Sequence, residues 1–141
     1  MALNLLKLSV GTISVEDLAD WQQSQRSRWP EGTAVHVTRM WPKREAEVLD
    51  GGSIFWVIKG VILCRQRMVA LEEVDLGDGI PRCAMIMDQD LIRTEAAPRR
   101  PFQGWRYLDP KDSPRDLPKG RAKDDPLPPA LARALAEIGL R

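Results

Sequence analysis

Ser53-Ile54-Phe55-Trp56-Val57-Ile58-Lys59-Gly60-Val61-Ile62-Leu63-Cys64-Arg65-Gln66-Arg67 is the stretch on which the fold turns. Residues 53–58 form a continuous apolar run, the pattern of a strand covered on both faces. Lys59-Gly60 reads as a turn or a bulge, because glycine inside a strand pattern marks one or the other. Residues 61–74 continue as a long strand, with Leu63, Arg65, Arg67, Val69 and Leu71 on one face and Cys64, Gln66, Met68 and Ala70 on the other. Gly77-Asp78-Gly79 is a strong hairpin signal, and residues 81–88 return as the partner strand with Cys83, Met85 and Met87 on one face.

Outward from this hairpin the elements are shorter. Residues 3–10 alternate loosely as a first strand. Ser14 reads as a helix N-cap with Asp17 completing a weak capping box, and Val15, Leu18 and Trp21 give that helix one apolar face. Residues 35–41 read as a strand. Pro42 opens a short helix with Val48 and Leu49 inward, closed by Gly51-Gly52. Residues 92–95 and 105–108 are further short strands. From Pro98 to Pro129 prolines recur among mixed charges, a composition that extends over a surface or stays disordered. Leu131, Leu135 and Ile138 mark a short terminal helix stopped by Gly139. The expected class is α+β. Few helical segments are available to wrap a parallel sheet, so an antiparallel, partly closed β-barrel of about five to seven strands is expected, flanked by two short helices. The barrel domain occupies residues 1–117; a proline-rich linker and C-terminal helix occupy 118–141.

Composition limits the function. The 141 residues amount to one domain, with apolar and charged fractions of 43% and 29% that fit an ordinary globular protein. A net charge of +1 excludes a globally electrostatic nucleic-acid binder, so any basic surface is a local patch. Acidic residues gather in 72–90, while 39–67 and 93–106 lean basic. The apolar N-terminus is too short to span a membrane and has no basic leader, so a buried strand in a cytoplasmic protein is expected. Cys64 and Cys83 lack metal-ligand spacing and make no disulfide framework; they read as reduced, packed thiols.

The most ligand-like segment is Arg99-Arg100-Pro101-Phe102-Gln103-Gly104-Trp105-Arg106-Tyr107-Leu108. In one reading Trp105 or Tyr107 stacks on a base while Arg99, Arg100 and Arg106, with Gln103, hold phosphates. In the other, the rings plug the end of a barrel and the arginines are solvated or paired with Asp88 and Asp90. Alternation sets Trp105 and Tyr107 on one face and Arg106 on the other, so one strand does not present them all. Arg65 and Arg67 line a partly open groove or lie on a plain surface. Arg39, Lys43 and Arg44 surround a helix start, where free N–H groups attract anions, with Trp41 as a second stacking ring. His36 is the only histidine and thus the only ordinary general base near neutral pH. No nucleophile motif accompanies it. One histidine and two separated cysteines make a poor zinc set, and no cofactor motif is present.

With these segments laid out, the chain resembles a bacterial family catalogued as domain of unknown function 1489. The resemblance rests on His36-Val37-Thr38-Arg39-Met40, Asp50-Gly51-Gly52-Ser53, Trp56-Val57-Ile58-Lys59-Gly60-Val61-Ile62 with Arg65-Gln66-Arg67, and the segment from Arg99 to Leu108. It covers most of residues 3–117 and implies no activity. The order of elements is also similar in pattern to the small β-barrels of the PUA, ASCH and EVE group. That resemblance implies a cleft beside the first helix for RNA or a modified nucleobase, or, as in some ASCH proteins, hydrolysis of a modified nucleoside. Those hydrolases use a lysine, a threonine and a glutamate; Thr38 and Lys43 stand here in a different order, so no catalytic role passes to them.

The expected function is a nucleic-acid-binding module, for RNA above all. It uses Arg39, Lys43, Arg65, Arg67, Arg99, Arg100, Gln103 and Arg106 for the strand and Trp105 or Trp41 for stacking. The alternatives are a small hydrolase acting on a modified nucleoside or related amide through His36, Thr38, Lys43 or Glu45, and a protein-interaction adaptor working through the tail. The chain is expected as a monomer, or as a homodimer through its terminal helix.

Overall fold

A computed structural model of the chain describes residues 2–118. In chain order the elements are β1 (Asn4–Leu8), α1 (Val15–Gln25), β2 (Thr33–Thr38), α2 (Glu45–Val48), β3 (Ser53–Ile58), β4 (Val61–Asp75), β5 (Pro81–Asp88), β6 (Ile92–Pro98) and β7 (Trp105–Leu108). Single 3-10 turns lie at Arg26–Arg28 and Pro110–Asp112. All but one residue of the expected linker and terminal helix, 118–141, fall outside the described residues.

Lys59-Gly60 is a turn. Ile58 pairs with Val61 across it, and both turn residues have positive φ, 50° and 82°. That backbone matches the twist of the flanking strands, which is why two-residue hairpins adopt it. β4 then serves three partners. Its first half pairs with β3 on one edge and β6 on the other, and its second half pairs with β5.

Two register slips shape β4. Cys64 lies opposite Trp56 while Ile62 lies opposite Val57, so Leu63 is an extra residue that turns Ile62 and Cys64 to opposite faces. A second slip between Met68 and Ala70 swings Leu71 into the core beside Met85. Leu71 was expected on the face of Arg65 and Arg67; a bulge inverts the alternation downstream of it, and unbroken alternation does not foresee that.

The strands run β2-β5-β4-β3-β1-β7, with β6 on β4. The expected antiparallel, partly closed barrel gives way to a mixed, open sheet. β1 runs parallel to β3, because the chain between them passes through α1, β2 and α2, a crossover long enough for parallel pairing. The two ends of the sheet, β2 and β7, are not hydrogen-bonded to each other as strands.

Both faces are covered, as the unbroken apolar run of β3 requires. On one, Val15 and Leu18 of α1 pack with Leu5, Ile54, Trp56 and Met85; on the other, Leu6, Phe55, Val57, Ile62 and Leu108 gather under Phe102 and Ala97. α1 starts as its sequence foretells. Ser14 Oγ accepts the Asp17 N–H at 3.0 Å, and Asp17 Oδ2 accepts the Ile13 N–H at 3.0 Å. Its buried face, however, is Val15, Leu18 and Gln22, while Trp21 is 52% exposed and packs against Trp29. The spacing of 15, 18 and 22 follows the helical period more closely than 15, 18 and 21. Gln22 is accommodated because its amide finds a partner in the core, described below. β2 ends at Thr38 rather than continuing to Trp41. Gly52 closes the corner between α2 and β1: a Cβ there would lie 2.2 Å from the Leu3 carbonyl oxygen and 2.4 Å from that of Val48. No helix among the described residues is long and apolar enough to cross a membrane.

Candidate functional site

The segment from Arg99 to Leu108 is largely spent on holding the open sheet together. Trp105 lies in the core, and its Nε1 donates to the Met40 carbonyl at 2.8 Å. Two residues on, the Tyr107 hydroxyl accepts the Arg44 N–H at 3.1 Å. These two bonds tie the segment after β2 to β7, spanning the seam that the sheet leaves open. The two rings meet edge to face at 4.9 Å. Trp105 therefore offers no face for stacking, a correction to its expected role. Tyr107, at the exposed end of the pair, keeps 37% of its surface open.

The predicted cations divide by what the fold has already given them. Arg65 is committed: Nε and Nη2 reach both carboxylate oxygens of Asp116 at 2.8 Å, and Nη1 donates to Ser53 Oγ. Arg99 donates to the carbonyls of Pro98 and Asp112. Neither pairs with Asp88 or Asp90. Arg106 lies over the Phe102 ring at 5.4 Å. Arg39, Lys43, Arg67 and Arg100 are exposed, and none of the four has an ion-pair partner among the described residues. Across the seam, Arg39 and Lys43 flank the tied segment with Arg44, whose guanidinium pairs with Glu47 and lies 5.7 Å from the Tyr107 ring. Exposed Gln103 precedes Gly104, whose Cβ position would meet the Met40 side chain at 3.4 Å. One corner thus unites Arg39, Lys43, Arg44, Gln103 and Tyr107. Arg67, opposite Ser53 in register, stands on β4, with β3 and β1 between it and β7, and does not join them.

The seam also shelters a pocket of about 470 Å³. Register places Trp105, Lys7, Trp56, Cys64 and Arg93 side by side across five strands, sharing one face of the sheet. α1 is drawn over this row by an ion pair between Glu16 and Arg93. The pocket opens between β1, α1 and β2, walled by Lys7, Asp17, Trp21, His36 and Trp56. Trp56 is held in place: its Nε1 donates to Gln66 Oε1 at 2.9 Å, Gln66 and Gln22 exchange two amide hydrogen bonds of 2.9 Å, and Gln66 Nε2 also donates to the Asp88 carbonyl. Gln66 is fully buried and satisfied, so the aromatic floor is rigid.

His36 meets the Trp56 ring edge-on at 5.8 Å. Burial, and secondarily the charge of Lys7, lower its pKa from the ordinary 6.5 to about 4, so the imidazole is neutral near pH 7. Burial also lowers the pKa of Lys7. The other groups of the expected hydrolase are engaged elsewhere: Thr38 Oγ1 accepts the Met40 N–H, Glu45 Oε1 accepts Trp41 Nε1, and Lys43 stands in solvent. Trp41, the second stacking candidate, is partly buried against the core. The free thiols are buried, with Cys64 pushed up to about 12 and Cys83 to about 11 by burial, values that suppress the thiolate. Among the described residues no three His, Cys, Asp or Glu side chains gather as a metal site. Sequence reasoning passed over Lys7, Trp21 and Trp56 as pocket residues. Lys7 was the available signal: a lone cation inside an otherwise apolar first strand, on the face of Leu5.

The chain belongs to the family described as Protein of unknown function (DUF1489), whose pattern it matches over residues 5–141. No curated protein and no solved structure matches it.

Proposed function

We propose that the protein is a binding module for single-stranded nucleic acid, RNA above all, which grips the strand at the corner where the segment after β2 meets β7. The observation that carries this reading is the union of two sequence-distant clusters. The Trp105–Met40 and Tyr107–Arg44 bonds bring Arg39 and Lys43, exposed and without an ion-pair partner among the described residues, beside Gln103 and the partly exposed Tyr107. Cations supply the sequence-independent grip on phosphates, and an exposed ring supplies stacking of about 1–3 kcal/mol per base. Arg106 and Arg100, exposed on the same terminal segment, extend the basic surface beyond the corner. The likeness to the PUA, ASCH and EVE group belongs to this proposal; a short first helix beside a curled sheet supports it, and the open mixed sheet weighs against a closed barrel. The dispersal of His36, Thr38, Lys43 and Glu45 favours binding over hydrolysis.

Fluorescence anisotropy with labelled mixed-sequence RNA and single-stranded DNA at low salt tests the reading. Binding is expected to weaken at least tenfold in Arg39→Ala/Lys43→Ala. Losing two phosphate contacts should reduce the slope of log affinity against log salt by about 1.4, while Arg28→Ala, an exposed cation before the start of β2 and at the opposite end of that strand from Arg39, leaves binding unchanged. No binding at low salt, or binding indifferent to the double substitution, overturns it.

A further inference from the structure

The seam pocket has a chemistry of its own, distinct from the basic corner and beyond the nucleic-acid reading. We propose that it binds a small planar molecule bearing an anionic group and a hydrogen-bond donor, with the anion on Lys7 and the ring against half-exposed Trp21, over a floor to which the nearly buried Trp56 contributes. Its volume of about 470 Å³ lies within the usual range for small-molecule sites.

Lys7 carries the first part of the argument. Its ammonium sits partly buried in the pocket wall, and its one hydrogen bond among the described residues is a long 3.4 Å contact to the Leu8 carbonyl. Among the described residues no carboxylate lies within ion-pair distance of it. A partly desolvated cation without a counterion is costly, and an incoming anion relieves that cost.

The rings carry the second part. Trp56 is pinned through Gln66 and costs no ordering on binding, while Trp21 stands half-exposed at the mouth where a ligand would cover it. Both nitrogens of His36 are without a hydrogen-bond partner among the described residues. A neutral imidazole there presents one donor and one acceptor, which suits a heteroaromatic edge. Asp17 completes the selection. One of its oxygens holds the Ile13 N–H, and Oδ1 accepts nothing among the described residues. That oxygen attracts a ligand hydroxyl or amine and repels additional negative charge, so polyanions are disfavoured. The shared chemistry fits a nucleoside monophosphate and an amino- or hydroxyl-substituted aromatic carboxylate.

Isothermal titration of the full chain with adenosine monophosphate, uridine monophosphate and 4-aminobenzoate, against adenosine and inorganic phosphate alone, separates these sources. At least one ring-bearing anion is expected to bind at least tenfold tighter than both adenosine and phosphate, and the arm that binds identifies the source. Lys7→Gln should weaken that ligand at least tenfold, and so should Trp21→Ala, whose exposed position spares the fold. Equal affinity for phosphate alone, no binding by any ring-bearing anion, or undiminished binding in either variant overturns the proposal. RNA binding is scored in a separate titration, so either proposal can fail without the other.

Discussion

Residues 99–108 and residues 7–12 meet where Lys7 pairs with Trp105 between β1 and β7, and they differ in opposite directions from what their composition suggests. The first is dense in arginine and aromatic side chains, yet the fold consumes much of it: Trp105 holds Met40, Tyr107 holds Arg44, Phe102 covers the second apolar cluster, and Arg99 binds two carbonyls. The second, Lys7-Leu8-Ser9-Val10-Gly11-Thr12, is plain in sequence, yet it forms one wall of the pocket and carries an ammonium without a counterion among the described residues. A residue is open to a ligand when the fold leaves its bonding unfinished, and side-chain type alone does not report that.

The comparison breaks first at Trp105. If the segment is structural, Trp105→Ala removes a buried indole and strands the Met40 carbonyl, at a cost of about 3–5 kcal/mol by urea denaturation. A loss below about 1 kcal/mol would mean the seam holds without its tie, and the segment would again be free for another role. The other side of the seam is tested by acid. His36 has a folded pKa of about 4 against 6.5 for the ordinary group. Between those values the unfolded chain binds a proton that the folded chain refuses. Stability from this group is therefore complete above pH 6.5 and falls as the pH drops toward 4, by on the order of 3 kcal/mol in all. Lys7, which also walls the pocket, and carboxylates elsewhere such as Asp75 and Asp78 contribute their own pH dependence. The measurement is thus the difference between wild type and His36→Gln at pH 7, 5.5 and 4.5. Parallel curves would show that His36 is solvated and the pocket open to bulk water.

Much of the fold was legible because β-structure writes itself locally. The apolar run of β3, the Lys59-Gly60 turn, the Gly77–Gly79 hairpin and the Ser14 cap each depend on a few adjacent residues. What escaped was set by distant partners. The parallel pairing of β1 with β3 depends on a crossover of more than forty residues, and the bulge that turns Leu71 inward depends on β5. The pocket escaped for the same reason. Gln22, Gln66 and Trp56 are unremarkable until α1, β4 and β3 meet, and Lys7 has no meaning as a ligand group until β2 approaches it with His36. At the corner the sequence left both an inward and a stacking role open for Trp105, and the distant contacts with Met40 and Arg44 set which ring stays exposed.

The smallest expected effect gives the finest test of the comparison. Tyr107→Phe deletes only the hydroxyl that accepts the Arg44 N–H; the ring keeps its edge contact with Trp105 and its place beside the Arg44 guanidinium. Because Arg44 is exposed, water can replace the lost acceptor, and the cost should be about 0.5–1 kcal/mol by urea denaturation. RNA affinity should change less than twofold, since stacking needs the ring face and not the hydroxyl. A stability loss above about 2 kcal/mol would mean that the Arg44 N–H is shut away from water, so the corner would be core rather than surface. A large loss of RNA affinity at unchanged stability would assign the hydroxyl to the ligand and not to the tie. Either result would move Tyr107 across the line between what the fold consumes and what it leaves open.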